Sequence, residues 1–371
     1  LLFFLYRSQI IKIMKIIIQL TIALVLLSPN IDTYSQKESK NQGKSEWWNA
    51  GWPKWPETSP LARNLPLISV RGNKFVNYNG DTIMFRGLAI ADPDKLDDQG
   101  HWNKAHFEKI KEMGANIVRI PVHPIAWRER TPEKYLQLLD QAVQWCTELE
   151  MYVIIDWHSI GNLHMELFQN EMYNTTQKET YEFWRAIAWH FKGHNTVAFY
   201  ELFNEPTSFF GHLGTMTWTQ WKEIIENIIN LIRAYDKETI PLVAGLDWGY
   251  DLNFIRYEPV NAEGIGYVAH PYAAKRKPPW PPKWEENFGF ASESYPVIAT
   301  EFGFRLADGD TLDEGHYGNV IISYLEEKGI SWTAWVFDPD WHPHIISSWD
   351  TYELTGCGEF FKKQLQRNSG K

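Results

Sequence analysis

The sequence predicts an α/β protein folded as a single (β/α)8, or TIM, barrel, and three observations carry that prediction. Eight short apolar runs, at 83–89, 116–122, 152–158, 197–203, 241–246, 265–270, 296–301 and 330–337, alternate with helical stretches. The runs are apolar almost throughout rather than at every second position, as strands are when helices cover both faces of the sheet. Eight such units in about 290 residues suit a closed barrel better than an open doubly wound sheet. No Gly-x-Gly-x-x-Gly follows the first run to support a dinucleotide fold.

Taken in order, residues 1–35 read as upstream residues and a signal peptide. Met14 and Lys15 precede an apolar run at 16–27 broken only by Gln19 and Thr21, and a polar, turn-prone exit follows. Cleavage is expected near Ser35–Gln36, which leaves no membrane span in the mature chain. Residues 36–64 form an irregular Trp/Pro-rich segment with Trp47, Trp48, Trp52 and Trp55. Residues 65–371 form the barrel domain, with no linker or second composition zone inside it. Residues 70–77 and the turn Tyr78-Asn79-Gly80-Asp81 predict a hairpin that caps the barrel bottom. Helices are expected at 104–113, 132–149, 178–191, 218–235, 315–328 and 359–367. In the second, Tyr135, Leu138, Leu139, Ala142, Val143, Cys146 and Leu149 fall on one face.

Composition narrows the function. The chain has 371 residues, is 44% hydrophobic and 22% charged, and carries a net charge of −10. That is a globular balance, and its acidity disfavours a general nucleic-acid binder, which wants a basic face. The 19 Trp are far above ordinary usage. Buried indoles each need a hydrogen-bond partner, so an excess suggests flat surfaces that stack on a ligand such as a sugar ring. Cys146 and Cys357 fall on helical regions that are not neighbours in the expected fold, so two separate thiols are expected rather than a bridge.

Active sites of such barrels form at the C-terminal ends of the strands, so the residues that end each run matter most. Arg119 lies on the second run. The third ends Asp156-Trp157-His158-Ser159, the fourth Phe203-Asn204-Glu205-Pro206, and the fifth Asp247-Trp248. The sixth ends His270-Pro271-Tyr272, the seventh Thr300-Glu301-Phe302-Gly303, and the eighth carries Trp332, Trp335 and Asp338. Glu205 and Glu301 would face one cleft. Two carboxylates across a cleft are what glycosidic bond cleavage needs, one to protonate the leaving oxygen and one to attack or stabilise the oxocarbenium-like centre. The two need different surroundings, because one must hold a proton while the other is ionised. The pair His342 and His344 lies on the eighth loop and the first run ends without histidine, so no metal site is expected.

Leu202-Phe203-Asn204-Glu205-Pro206, together with Thr300-Glu301-Phe302-Gly303, resembles glycoside hydrolase family 5 of clan A over about residues 65–367. That resemblance implies a retaining, cellulase-type enzyme with Glu205 as acid/base and Glu301 as nucleophile. It implies that Asn204 bonds the sugar 2-hydroxyl, that Arg119 holds Glu301 ionised and that Tyr272 donates to Glu301. It further places His270 beside Glu205, His158 at a hydroxyl of the reacting sugar, and Trp335 under that sugar. The expected substrate is a cellulose-like or mixed-linkage β-glucan, with β-mannan or xyloglucan, or a non-catalytic glycan-binding barrel, as alternatives. No cofactor is expected, and the protein is expected to be an exported monomer. Trp157, Trp248, Trp280, Trp284 and Trp341, at or beyond strand ends, are candidate outer sugar platforms, with Trp280 and Trp284 on a stiff proline-rich loop at 277–284.

Overall fold

A computed structural model describes residues 65–209, 211–306 and 312–368. The expected signal peptide and the 36–64 segment lie outside the described residues. Strands β1 (Ser69–Arg71) and β2 (Lys74–Val76) form an antiparallel hairpin. The barrel strands are β3 (Arg86–Ile90), β4 (Ile117–Val122), β5 (Tyr152–Trp157), β8 (Val197–Glu201), β10 (Ile240–Ala244), β11 (Gly266–Val268), β12 (Val297–Phe302) and β13 (Ser331–Phe337). They close in chain order, every pairing parallel. All eight apolar runs therefore become barrel strands. Three short strands, β6 (Ile160–Asn162), β7 (Leu167–Phe168) and β9 (Glu205–Pro206), form a small sheet beyond the C-terminal ends.

The expected helices are present as Lys104–Glu112, Pro132–Glu148, Gln177–Phe191, Trp218–Arg233, Tyr317–Lys328 and Gly356–Asn368. Thr217 starts the fourth with a reciprocal cap to Gln220, which satisfies amide groups the first turn would leave unbonded. Shorter helical segments, among them Pro93–Asp98, Pro124–Arg130 and Pro281–Asn287, escaped the sequence reading because they are too short to show a period. The last overturns the stiff loop expected at 277–284. Pro281 and Pro282 occupy its first turn, where a missing N–H costs nothing. The hairpin also differs in detail. Its turn lies at Arg71–Lys74 around Gly72, while Asn79-Gly80 makes a second turn held by the Asn77 side chain.

The hairpin plugs the barrel bottom as expected. Phe75 of β2 meets Phe85 and Phe199 edge to face, with centroids 5.9 Å and 4.9 Å away, within a core that includes Ile117, Ile154, Val268 and Ile298. Side chains two apart on a strand share a face. One step further up the interior, the same strands place Arg119, Asp156, Glu201, His270 and Thr300, all buried. The barrel interior thus changes from apolar to charged within one layer, about 7 Å of strand. Cys146 and Cys357 are both buried and unbridged. Among the described residues no helix is long and apolar enough to cross a membrane.

Candidate active site

The charged layer is the floor of a cavity of about 870 Å³ at the C-terminal ends of the strands, lined by Glu205, Glu301, His158, Tyr272 and Trp335 among others. Arg119, fully buried on β4, organises it. Its Nε and Nη2 donate to the two oxygens of Glu201 at 2.7 and 3.0 Å. Nη1 reaches Glu301 at 2.8 Å, and Nη2 reaches Asn204 Oδ1 at 2.7 Å and Asp156 at 3.0 Å. One guanidinium cannot neutralise three buried acids, and the carboxyls respond differently. Burial opposes the charge of Glu201, but Arg119 and His270 outweigh it and bring its pKa down to about 2. For Asp156 burial wins, reinforced by the charges of Glu201 and Glu301, and its pKa stands well above the ordinary value. Asp156 bonds His158 Nδ1 at 2.6 Å, and burial with nearby cations keeps His158 neutral.

Glu301 ends β12. Its Oε2 accepts from Arg119 and its Oε1 from the Tyr272 hydroxyl at 2.9 Å. Burial, reinforced by the charge of Glu205, raises its pKa above the ordinary carboxylate value, although Arg119, His270 and Tyr272 pull the other way. Glu205 is placed by β9, whose pairing with β6 sets Glu205 opposite Ile160, with its N–H donating to Ser159 O at 3.1 Å. Its Oε1 lies 3.1 Å from His270 Nδ1. On the other side His270 Nε2 meets Thr300 Oγ1 at 3.0 Å and Glu201 at 3.4 Å. Burial disfavours the imidazolium, yet these bonds to Glu201 and Glu205 prevail and raise its pKa to about 9. One oxygen each of Glu205 and Glu301 and a nitrogen of His270 lie within 4.8 Å of one another. Cation-ligand spacing of this kind is met here by groups that already serve each other, since both oxygens of Glu301 accept from Arg119 and Tyr272.

The structure thus brings together all eight inner residues named from the sequence. Arg119 and Tyr272 serve Glu301 and leave Glu205 to His270, so the two carboxyls have different surroundings. Asn204 Nδ2 is buried beside them without a hydrogen-bond partner, an arrangement that invites a ligand acceptor. Trp335 lies parallel to His158, 5.3 Å between centroids, and to Trp341 at 5.9 Å. The outer platforms divide. Trp248 and Trp341 line the cavity. Trp280 borders a neighbouring cavity of about 500 Å³ with Tyr272, Phe304 and Arg305. Trp157 and Trp284 are fully buried and offer no face to a ligand. Trp157 points outward from β5 to stack on Phe183 and bond Thr180, and Trp284 packs between Tyr317 and Tyr324 as part of its helix.

Sequence reasoning missed Glu201 and the roles of Asp156 and Thr300, although an acid inside the otherwise apolar run at 197–203 was a readable signal. It also passed over His123, which lines the cavity and takes Asp92 as its Nδ1 partner at 2.9 Å, and Lys275, another lining residue.

Known proteins match this architecture. A beta-glucanase of Saccharophagus degradans, whose structure has been solved alone and in complex with cellotetraose, is 44% identical over 88% of this chain and 100% of its own, with a TM-score of 0.81. An endoglucanase of Thermobifida fusca is 27% identical over 84% of this chain and 66% of its own. An endoglucanase of Clostridium saccharobutylicum is 25% identical over 80% and 64%. The chain thus spans somewhat under two thirds of the length of these curated endoglucanases. Residues 76–340 match the family model described as cellulase (glycosyl hydrolase family 5). With its closed barrel, its glutamates on β9 and β12 and that match over most of its length, the chain belongs to glycosyl hydrolase family 5.

Proposed function

We propose that the protein is a retaining, endo-acting glycoside hydrolase that cuts β-1,4-glucosidic bonds in cellulose-like or mixed-linkage β-glucans by double displacement. The observation that carries this is the approach of a Glu205 oxygen and a Glu301 oxygen to within 4.8 Å. Retaining enzymes hold their carboxyls about 5 Å apart, whereas inverting enzymes leave a water's width more. The cellotetraose bound by the Saccharophagus degradans beta-glucanase supports a β-glucan substrate.

The chemistry follows from the geometry. Glu301 attacks the anomeric carbon while Glu205 gives its proton to the leaving oxygen, and a glycosyl ester forms on Glu301. Esterification removes the negative charge of Glu301, so Glu205 loses a repulsive neighbour and is freed to act as a base toward water. Water then attacks the anomeric carbon, releases Glu301 as carboxylate and returns a proton to Glu205. Asn204 Nδ2 bonds the 2-hydroxyl, a contact that strengthens in the transition state. Trp335 supports the reacting sugar and neutral His158 accepts or donates at its hydroxyls. Cellulose-type polymers cannot enter a cell, which fits the export signal read at 14–35. All these groups come from one chain, so the site is complete without a second copy, in keeping with a monomeric enzyme.

Reducing-sugar release from a panel of soluble β-glucans, mannan and xyloglucan tests the assignment. Release from β-glucans is expected, and release from mannan alone would sink the glucanase reading. Proton NMR of the first product should show the β-anomer; initial inversion would contradict double displacement.

A further inference from the structure

His342 and His344 were given no role by the sequence reading, which expected no metal because the first run supplies no further ligand. The structure shows how the two rings meet. Beyond β13 the chain folds back on that strand: Val336 N–H donates to Pro343 O at 3.0 Å, and Ile345 N–H donates to Val336 O at 2.9 Å. Pro343 packs over Gly303, where an added Cβ would lie 2.5 Å from the proline Cγ. The His344 carbonyl accepts from Thr355 Oγ1 at 2.9 Å and from the Cys357 thiol at 3.1 Å. The backbone on both sides of Pro343 is thereby held, and the two imidazoles turn the same nitrogen toward each other. His342 Nδ1 and His344 Nδ1 lie 2.7 Å apart.

One proton at most fits between two neutral rings, so at least one Nδ1 lone pair faces the other nitrogen. Among the described residues no other side chain hydrogen-bonds either ring. A metal ion takes the place of that proton when each ring holds its own proton on Nε2, a change of tautomer that needs no ionisation. The separation selects the metal. Two nitrogens about 2.0 Å from an ion stand about 2.8 Å apart at a right angle, as in square-planar or tetragonal sites, and about 3.3 Å apart at the tetrahedral angle. The observed spacing fits the right angle, the geometry of Cu(II) and Ni(II), and Cu(II) is the tighter binder of the two.

We propose that His342 and His344 form a chelating site for Cu(II), with water completing its coordination. His342 lines the active cavity and His344 does not, so the ion sits on the rim of the cleft, next to Trp341. There it obstructs long chains and slows their hydrolysis. That consequence rests on the glycosidase reading above; the binding does not.

The test titrates Cu(II) into tag-free protein in a non-coordinating buffer. Electron spin-echo spectra of the first equivalent should show two imidazole ligands in the wild type and one in His342→Asn or His344→Asn. Affinity for that equivalent should fall by about tenfold to a hundredfold or more in either variant, since losing even an outer partner of a ligand costs that much. On a soluble β-glucan, one equivalent of Cu(II) should lower wild-type kcat/KM by about threefold or more, reversibly with a chelator. His344→Asn should keep the wild-type rate and lose the inhibition. A first ion held by fewer than two imidazoles in the wild type, or an affinity unchanged in both variants, would overturn the site. Equal inhibition of the wild type and His344→Asn would place the inhibiting ion elsewhere, with Glu205, His270 and Glu301 the candidate ligands, and would overturn the rim mechanism. A protein that binds the ion through two imidazoles but cuts no glucan would leave the site standing and remove the glycosidase reading.

Discussion

At the N-terminal end of the barrel, Phe75, Phe85 and Phe199 meet ring to ring in an interior without a charge, while one layer above, the same strands hold Arg119, Asp156, Glu201, His270 and Thr300. On β4, β5, β8 and β12 the inward side chain changes from Ile117 to Arg119, Ile154 to Asp156, Phe199 to Glu201 and Ile298 to Thr300. Apolar burial stabilises at about 25 cal/mol per Å² of surface, so the lower layer contributes to folding. Buried charges return little net stability, because desolvation offsets their attraction. What they provide is a preorganised field, with donors already aimed at the carboxylate that must stay charged. Stability and chemistry are therefore separable by substitution along a single strand.

The largest effect should come from the upper layer. Glu301→Gln removes the attacking oxygen and keeps the shape, and kcat on a β-glucan should drop on the order of ten-thousandfold or more. Binding of cellotetraose and the melting temperature should hardly change. An active variant would mean the nucleophile is misassigned. Phe85→Ala should do the reverse. It should cost about 3–5 kcal/mol in urea unfolding, as large core truncations do, with KM near wild type well below the melting point. Trp284→Ala should behave like Phe85→Ala and not like a lost sugar platform, because its ring is fully buried. A selective rise in KM with unchanged stability would restore it to the cleft.

His270 belongs to the upper layer, yet it should leave a stability signature. Its folded pKa is about 9 against an ordinary 6.5, so the folded state holds the proton more tightly than the unfolded chain. The contribution is then fully present below pH 6.5 and is lost as pH rises through about 9. Integrated over that window it is about 3 kcal/mol at most. Unfolding free energies measured from pH 6 to 9.5 should decline for the wild type and flatten in His270→Asn. Parallel slopes would show that the imidazolium is not the source.

These two layers were unequally legible in the sequence. The strands announced themselves through apolar runs, and strand-end polar residues found Glu205, Glu301, Tyr272 and His158, since polar groups beside turns are conspicuous. Glu201 was hidden because it sits inside a run read as core, where the sequence does not reveal which strand will pair a buried acid with Arg119. Trp157 and Trp284 misled for the opposite reason. Both lie at or beyond strand ends, but alternation turns Trp157 outward to Phe183, and a proline-initiated helix turns Trp284 into the helical layer. A residue's position along the chain gives the end of the barrel, and only the register and the local helix give the face.

Trp341 gives the finest division between the two roles, since it lines the cavity while making structural contacts. Its loop is held by Asp338, a buried carboxylate whose Oδ1 accepts from the N–H groups of Asp340 and Trp341 at 2.7 and 2.8 Å. Asp338 Oδ2 takes Lys95 Nζ at 2.6 Å, and that ammonium also lies 5.4 Å from the Trp341 centroid. The loop is thus fixed through its backbone and through Asp338, not through the indole. Trp341→Ala should therefore leave the melting temperature within about 2 °C of wild type. It removes one face that extends the floor of Trp335, so kcat/KM on long oligosaccharides should fall about three- to tenfold, mostly through KM. A β-cellobiosyl fluoride rate that fell as far as the cellopentaose rate would place Trp341 on the glycone side of the bond. A fall confined to longer chains would place it beyond the two sugars that cellobiosyl fluoride supplies. A melting temperature lowered by many degrees would show that the ring, like Trp284, belongs to the packing.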